Sequence, residues 1–252
     1  MLEINKEEQY TVINLSRAEK RNALSCALMK ELIRAIDETH QDPSQRVLIL
    51  RGEGPVFCAG LDLEELRDRS KKKTSTKLLS QLLQQVYTST LVTICCVHGA
   101  SVAGGAALMS ACDLVIAEKD AKIGFPEARR GIVAGFVSAL LTRQIRQKDV
   151  KELLLLGELV SAERAREMGL VTRVVPKGKS FHACTKMAVS VLKGAPNTLR
   201  FSKELLEQLD PIALDKAWEV AQVYHIKSRA TDEAQEGALA FLEKREPNWI
   251  AK

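Results

Sequence analysis

One stretch of small and apolar residues, 94–127, constrains the fold of this chain more than any other. It begins inside a β-rich apolar run at 92–97 that is short enough for a buried strand. The run AGGAA at 103–107 then offers a backbone with almost no side-chain bulk and leads into a short predicted helix at 108–111. A strand, a small-residue turn and a helix in this order present backbone N–H groups at a helix N-terminus. Such a site suits a developing oxyanion, because a ligand can approach the donors closely.

A single carboxylate follows this turn. After a second predicted buried strand at 113–117, the segment GFPE places Glu127 beside a rigid proline turn. The stretch therefore suggests an oxyanion site near one lone acid.

Composition and charge narrow the class of protein. Hydrophobic residues make up 46% of the chain and aromatic residues only 4%, so the core must be aliphatic. The net charge of +5 is modest and aromatic residues do not interleave with the dispersed basic ones, so nucleic acid is not an expected partner. No apolar run approaches the roughly 20 residues of a membrane span, and no membrane partner is expected either. The first residues resemble no targeting signal, which favours a cytoplasmic location unless a targeting segment has been trimmed.

The six cysteines show neither a C-x-x-C pair nor metal-ligand spacing. They are predicted to be buried, reduced thiols, and no metal site is expected.

The order of the predicted elements indicates an α/β fold. Strands are expected at 10–15 and 47–50, with a helix between them that Ser25 caps. A helix should start at Leu63, while the charged segment 67–77 predicts a mobile loop before a helix with Leu78–Val86 on one face.

A helical region is expected at 131–156, and Ser161 should cap a short helix that ends at Gly169. The last predicted strand is 170–175. Beyond it only helices are expected, at 182–193, 199–209, 214–228 and 232–243. This order predicts an α/β repeat domain over 1–190 and a helical region over 191–252.

Two glycine-containing segments, 58–61 and 103–105, each follow a predicted strand. If these strands are neighbours, the N–H groups of Leu61 and Gly104 can converge on one carbonyl oxygen. Either segment alone is a weak signal, because glycines after strands often form only tight turns.

Taken together, the motifs of this chain resemble the enoyl-CoA hydratase/isomerase (crotonase) family. The matching segments occur in the family's order over nearly the whole chain: AEKRNAL (18–24), FCAGLD (57–62), HGASVAGGAAL (98–108) with ACD (111–113), GFPEARRG (124–131) and LVSAERAREMGLVTRVVP (159–176).

The resemblance implies a spiral of ββα units with a C-terminal helical extension that builds a homotrimer, often stacked into a hexamer. It implies an acyl-CoA thioester as substrate, with coenzyme A as part of that substrate and no separate cofactor. The thioester oxygen would be held by Leu61 and Gly104. The remaining implied substrate-binding residues are Lys20, Arg21, Ala23, Ala59, Gly60, Asp62 and Gly105, with Phe241 and Lys244 contributing from another subunit.

The chain departs from the family's hydratases at one position. Those enzymes usually carry two glutamates, and the first of them would fall at Ala107, so only Glu127 is kept. Two carboxyl groups help to orient and deprotonate water, whereas one is enough to carry a proton between carbons. Glu127 is therefore interpreted as the general acid and base, and a Δ3,Δ2-enoyl-CoA isomerase is favoured over a one-acid hydratase. Arg129 is expected to oppose any rise in its pKa.

Two alternatives stay open. One is another acyl-CoA reaction on the same scaffold, such as decarboxylation. The other is a member of the family that binds coenzyme A or RNA without turnover.

Three further polar residues near these motifs have simpler explanations. His98 is expected to be structural, since the family does not use this position for chemistry. Asp62 is interpreted as an acid that stabilises the start of a helix. Cys58 is interpreted as a small packing residue, because no nearby sequence feature supplies a base.

Overall fold

The computed structural model describes residues 1–68, 70–208 and 214–245. A six-stranded sheet forms its centre, in the order β1-β2-β3-β4-β6-β9. These strands are β1 (Leu2–Lys6), β2 (Tyr10–Leu15), β3 (Val47–Gly52), β4 (Val92–Val97), β6 (Leu114–Glu118) and β9 (Arg173–Val175). Only the β1–β2 pair is antiparallel; the other pairs are parallel.

A second, three-stranded sheet lies beside the first. It contains β5 (Ala100–Val102), β7 (Lys122–Gly124) and β8 (Leu159–Ser161), with β7 in the middle. Each of these strands has three residues, which is too short to show an alternating pattern, and the sequence did not predict them. Their importance is positional, because β5 leads directly into the small-residue turn and β7 leads to Glu127.

Eleven α-helices are seen in the described part of the chain. They are α1 (Cys26–Gln41), α2 (Leu63–Arg67), α3 (Lys72–Tyr87), α4 (Gly104–Ser110), α5 (Gly135–Gln144), α6 (Gln147–Leu156), α7 (Ala162–Met168), α8 (Ser180–Val191), α9 (Pro196–Gln208), α10 (Leu214–Arg229) and α11 (Asp232–Glu243). The mixed α/β class with a helical C-terminal part is therefore confirmed.

Both faces of the central sheet are buried, which explains why its strands are continuously apolar. Leu48 and Leu50 face one core with the helices α1 and α3, while Ile49 faces a smaller core on the opposite side. Cys184 and Ala188 of α8 close this second core. All six cysteines are free, and all but Cys26 are buried, as the sequence predicted.

Several helix boundaries confirm local sequence signals. The side chain of Ser25 accepts a hydrogen bond from the N–H of Leu28, and Ser161 accepts one from the N–H of Arg164. Gly169 ends α7 in the left-handed conformation that favours glycine.

Three expectations about the elements were wrong. Strand β1 was missed because most of it is exposed. The predicted loop at 67–77 contains the first turns of α3, whose buried Ser75 and Thr76 are held by polar contacts rather than apolar ones. The single helical region at 131–156 is two helices, separated by the extended residues Ile145 and Arg146.

The division into 1–190 and 191–252 remains a prediction. Helix α10 packs against α5 and α3 of the same chain, and α11 contacts α2. The helical part is thus in contact with the core of its own chain.

One buried asparagine fixes the loop that precedes the first glycine segment. Asn22 has no exposed surface, and its φ of 55° lies in the left-handed region, which asparagine tolerates better than most residues. Its Nδ2 donates to the carbonyl oxygens of Glu53, Val56 and Phe57 at 2.8, 2.9 and 3.1 Å. Its Oδ1 accepts from the N–H of Arg17 at 2.9 Å.

We expect Asn22→Ala to lower the free energy of unfolding by about 3 kcal/mol, because several buried backbone groups lose their partner at once. Urea unfolding followed by circular dichroism measures this change. Asn5→Ala is the matched control, since Asn5 is exposed and its side chain donates to the exposed Glu3 at 3.4 Å. Equal stability of the two variants would contradict the role given to Asn22.

Candidate active site

The two glycine segments meet in the structure. Cys58 and Ser101 form a parallel bridge, in which the N–H of Cys58 donates to Ala100 and the N–H of Val102 donates to Cys58. A Cβ atom placed on Gly104 would lie 3.4 Å from the nitrogen of Leu61, and one placed on Gly60 would lie 3.2 Å from the nitrogen of Gly104. The backbone nitrogens of Leu61 and Gly104 are therefore neighbours.

Local pairing leaves both of these N–H groups available. In the parallel bridge between Leu24 and Leu61, the bonds run from Leu24 N–H to Gly60 and from Asp62 N–H to Leu24. The N–H of Leu61 consequently points away from Leu24. Gly104 is the first residue of α4, where an N–H has no partner within the helix. Neither N–H has a hydrogen-bond acceptor in the part of the chain that the structure describes.

Close backbone approach explains why these positions have no side chains. A Cβ on Gly105 would collide with the carbonyl oxygen of Cys58, which is backbone and cannot turn aside. Gly60 adopts a φ of +97°, which side chains strongly disfavour. The small-residue motif is thus required by the contact between the two segments.

A partly open cavity adjoins the two residues that carry these N–H groups. Leu61, Gly104, Ala107 and Glu127 all line it. Most of the remaining lining is apolar: Leu63, Leu66, Leu79, Ala103, Ile132, Ala134, Gly135, Phe136, Val137 and Ala238. Polar groups also reach it, from Arg130, His225 and Arg229.

Glu127 enters this cavity from the turn after β7. The residue as a whole is half-buried, but its Oε2 is inaccessible to solvent and has no hydrogen-bond partner among the described residues. Burial raises the pKa of Glu127 to about 7, against a hydrogen bond from its own backbone and the charge of Arg130. A carboxyl group with this pKa can both accept and return a proton near neutral pH.

The arginine that opposes this shift is not the one the sequence suggested. Arg129 points to Glu158 at 2.9 Å and donates to the carbonyl oxygen of Leu156. Arg130 instead lies near Glu127 and stacks over the ring of Phe241, with 4.4 Å from the guanidinium carbon to the ring centroid.

Asp62 is a structural acid, as its position at a helix start suggested. Its side chain accepts from the N–H of Glu64 at the start of α2, and it pairs with Arg17 at 2.7 Å. Although burial opposes ionisation, the hydrogen bonds from Arg17 and from the backbone of α2 lower the pKa of Asp62.

The implied coenzyme A loop lies next to the first glycine segment. The N–H of Ala59 donates to the carbonyl oxygen of Arg21, and Ala23 accepts from the guanidinium of Arg17. Lys20 pairs with Glu64 at 2.6 Å, and Arg21 is exposed.

Phe241 and Lys244 lie outside the cavity lining. Phe241 is 49% exposed, and Lys244 is an exposed residue at the end of α11. Their expected role in another subunit stays a prediction.

His98 and Cys58 behave as the sequence indicated. The Nε2 atom of His98 is 2.9 Å from the carbonyl oxygen of Gly54. The thiol of Cys58 donates to the carbonyl oxygen of Asn22, and burial raises its pKa to about 12. Cys58 is therefore a neutral packing residue and not a nucleophile.

The sequence missed the polar residues that α10 brings to the cavity. His225 and Arg229, four residues apart, are 5% and 3% exposed. His225 packs on Phe136 with ring centroids 4.7 Å apart, and burial lowers its pKa to about 4, so it is neutral at pH 7. A four-residue spacing on a polar helix also occurs on solvated faces, so only the packing of α10 against α5 identifies these residues.

Comparison with known proteins relates this architecture to enzymes of CoA thioesters. The profile of the enoyl-CoA hydratase/isomerase family matches residues 5–252. A Thermus thermophilus protein provisionally named as an enoyl-CoA hydratase is 38% identical over 244 residues, which cover 94% of this chain and 96% of that protein.

Solved structures agree with this match. An enoyl-CoA hydratase from Mycobacterium avium superimposes with a TM-score of 0.86 at 30% identity, over 99% of this chain and 98% of its own. A methylmalonyl-CoA decarboxylase in complex with 2-nitronate-propionyl-CoA gives a TM-score of 0.85 at 26% identity, over 100% and 98% of the two chains. The predicted crotonase-like fold is confirmed, and the fold alone is compatible with more than one reaction.

Within residues 1–68, 70–208 and 214–245, no helix is long and apolar enough to cross a membrane. The same residues contain no group of three or more His, Cys, Asp or Glu side chains that could hold a metal ion.

Because the pKa of Glu127 is raised, the difference in stability between the wild type and Glu127→Gln should depend on pH. Its carboxyl group ionises near pH 4.5 when exposed and near pH 7 when folded, so the folded state is penalised progressively as the pH rises through this window. We expect Glu127→Gln to gain stability relative to the wild type by about 1–3 kcal/mol between pH 4 and pH 8.

Urea unfolding at several pH values measures this difference. Glu158→Gln is the control, because Glu158 is exposed and ion-paired with Arg129. A difference between Glu127→Gln and the wild type that does not change with pH would refute the buried, proton-binding carboxyl group.

Proposed function

Because this chain belongs to the enoyl-CoA hydratase/isomerase family, we propose that it moves a proton between two carbon atoms of an enoyl-CoA thioester. Glu127 is the single acid and base, and the N–H groups of Leu61 and Gly104 hold the thioester oxygen. One observation carries this proposal: a buried carboxyl group with a pKa of about 7 shares a cavity with two adjacent N–H groups that have no acceptor in the described residues.

The proposed step balances without any external reagent. Glu127 removes a proton from C2 of a 3-enoyl-CoA, and the C–H electron pair moves into a dienolate whose negative charge lies on the thioester oxygen. The two N–H groups stabilise this charge, and each such donor is typically worth about 2.7–4 kcal/mol. Glu127 then returns the proton to C4, which leaves the double bond between C2 and C3.

Ala107 supports isomerisation over hydration. It lines the cavity and is 4% exposed, so it faces the reaction space with a methyl group. Adding water to a double bond requires that a water molecule be oriented and deprotonated, and a methyl group can do neither. A one-acid hydratase is the second candidate, since Glu127 could perform this work alone at a lower rate.

The surroundings of the thioester are also part of the proposal. The adenine and phosphates of coenzyme A lie near Lys20, Arg21 and Ala23, where positive charge suits phosphate. In a homotrimer or hexamer, the exposed Phe241 and Lys244 of a neighbouring subunit add to this site. We propose a cytoplasmic enzyme.

We expect Glu127→Gln to reduce the isomerisation of a 3-enoyl-CoA by about 10²- to 10⁴-fold, because general acid–base catalysis is lost while the oxyanion donors remain. The wild type and variant are offered 3-enoyl-, 2-enoyl- and malonyl-type CoA esters, and products are separated by chromatography. Binding of coenzyme A esters by calorimetry should be retained. Glu158→Gln should keep full activity.

Other outcomes identify the alternatives. Hydration of the 2-enoyl ester without isomerisation favours the one-acid hydratase. Rapid loss of carbon dioxide from the malonyl-type ester, insensitive to Glu127→Gln, favours a decarboxylase. No turnover of any ester, with salt-sensitive RNA binding, indicates the non-catalytic member.

The pKa of Glu127 also predicts the pH profile of the reaction. The first step needs the ionised carboxylate, so kcat/KM for the 3-enoyl ester should rise with pH and level off above an inflection near pH 7. Initial rates between pH 5 and pH 9 measure it. An inflection near pH 4.5, the ordinary value for a glutamate, would show that Glu127 is solvated during the reaction.

A further inference from the structure

Arg229 is a cation at the wall of the active-site cavity that the proposed reaction does not use. It is the last residue of α10, is 3% exposed and lines the same cavity as Glu127 and Gly104. Arginine is rarely buried to this extent without a partner.

One edge of the guanidinium group is firmly held. Its Nη1 donates to the carbonyl oxygen of Lys72 at 3.0 Å, to Ser75 Oγ at 2.9 Å and to Thr76 Oγ1 at 2.7 Å. In return, Nζ of Lys72 donates to the carbonyl oxygen of Arg229 at 2.6 Å. These contacts to the start of α3 fix the side chain, but all three acceptors of Nη1 are neutral.

The other edge is unsatisfied. Nη2 of Arg229 is inaccessible to solvent and has no hydrogen-bond partner, and Arg229 forms no salt bridge within the described part of the chain. The cavity's carboxyl group, Glu127, is influenced by Arg130 instead. Burial lowers the pKa of Arg229 to about 10, so it still carries its charge at neutral pH.

A buried positive charge with no counter-ion is costly, and a ligand that supplies the missing anion recovers that cost on binding. Carboxylate is the group that matches the planar fork of a guanidinium. A neutral hydroxyl or carbonyl could accept from Nη2 but would leave the charge uncompensated.

We propose that Arg229 binds a carboxylate at the far end of the acyl chain, so that the preferred substrates are CoA thioesters of enoic dicarboxylic acids. The reaction on these substrates rests on the function proposed above, whereas the binding preference does not. Because Nη2 is covered by its neighbours in this structure, the carboxylate displaces a lining side chain to reach it.

The experiment compares two six-carbon 3-enoyl esters that differ only at the distal end: the mono-CoA thioester of hex-3-enedioic acid and hex-3-enoyl-CoA. Calorimetry gives the dissociation constant of each, and chromatography gives kcat/KM for each. For the wild type we expect the carboxylated ester to bind at least about 30-fold more tightly, as for a buried hydrogen-bonded charge pair.

The variant Arg229→Met should abolish this preference and bind the uncharged ester at least as well as the wild type does. Arg229→Lys keeps the charge and should retain part of the preference. Lys72→Met is the matched control, since it removes a hydrogen bond between the same two helices but leaves the guanidinium in place. Its stability should fall while the preference remains.

Two results would overturn the inference. The first is that the wild type binds the two esters equally or prefers the uncharged one. This measurement does not depend on whether any variant folds. The other is a preference that survives in Arg229→Met. A clear preference in binding without turnover of either ester would leave the carboxylate site standing and refute the proposed reaction, so the two failures are distinguishable.

Discussion

The contact between the backbone of Cys58–Gly60 and that of Ala103–Gly105 is the constraint on which the rest of this structure depends. The first segment pairs in parallel with the strand before the second one, through Cys58 and Ser101. A further parallel bridge joins Leu61 to Leu24, and its hydrogen bonds turn the N–H of Leu61 away from Leu24. The start of α4 leaves the N–H of Gly104 without an intrahelical partner. The two donors are thus a product of ordinary secondary structure, held rigidly because the backbones touch.

The same contact requires small residues where the two backbones meet, and hydrogen bonds that hold the neighbouring loops in place. Gly105 cannot carry a side chain beside the carbonyl oxygen of Cys58. Asn22 joins the neighbouring loops by hydrogen bonds to the backbone of Glu53, Val56 and Phe57. Donors fixed in this way need little reorganisation when charge develops, which is the physical basis of oxyanion stabilisation.

The pKa values of Glu127 and Arg229 in the cavity depend on burial more than on ion pairing. The pKa of Glu127 is raised to about 7 because its Oε2 is buried from solvent and has no hydrogen-bond partner among the described residues. Arg229, which lines the same cavity, keeps its charge at neutral pH and has no ion-pair partner among the described residues. The largely apolar cavity thus combines the titratable Glu127 with the buried Arg229, which is the basis of both the proposed reaction and the proposed carboxylate recognition.

The sequence by itself determined the α/β class, most helices and strands, and the motifs of the candidate active site, because these depend on local apolar periodicity, capping residues and glycines. It did not reveal the three-residue strands of the second sheet or the polar start of α3, since neither carries an apolar pattern. Only the tertiary structure decided that Arg130 rather than Arg129 faces Glu127 and that α10 brings Arg229 to the cavity. Those facts depend on contacts between residues far apart in the chain, and no local pattern records them.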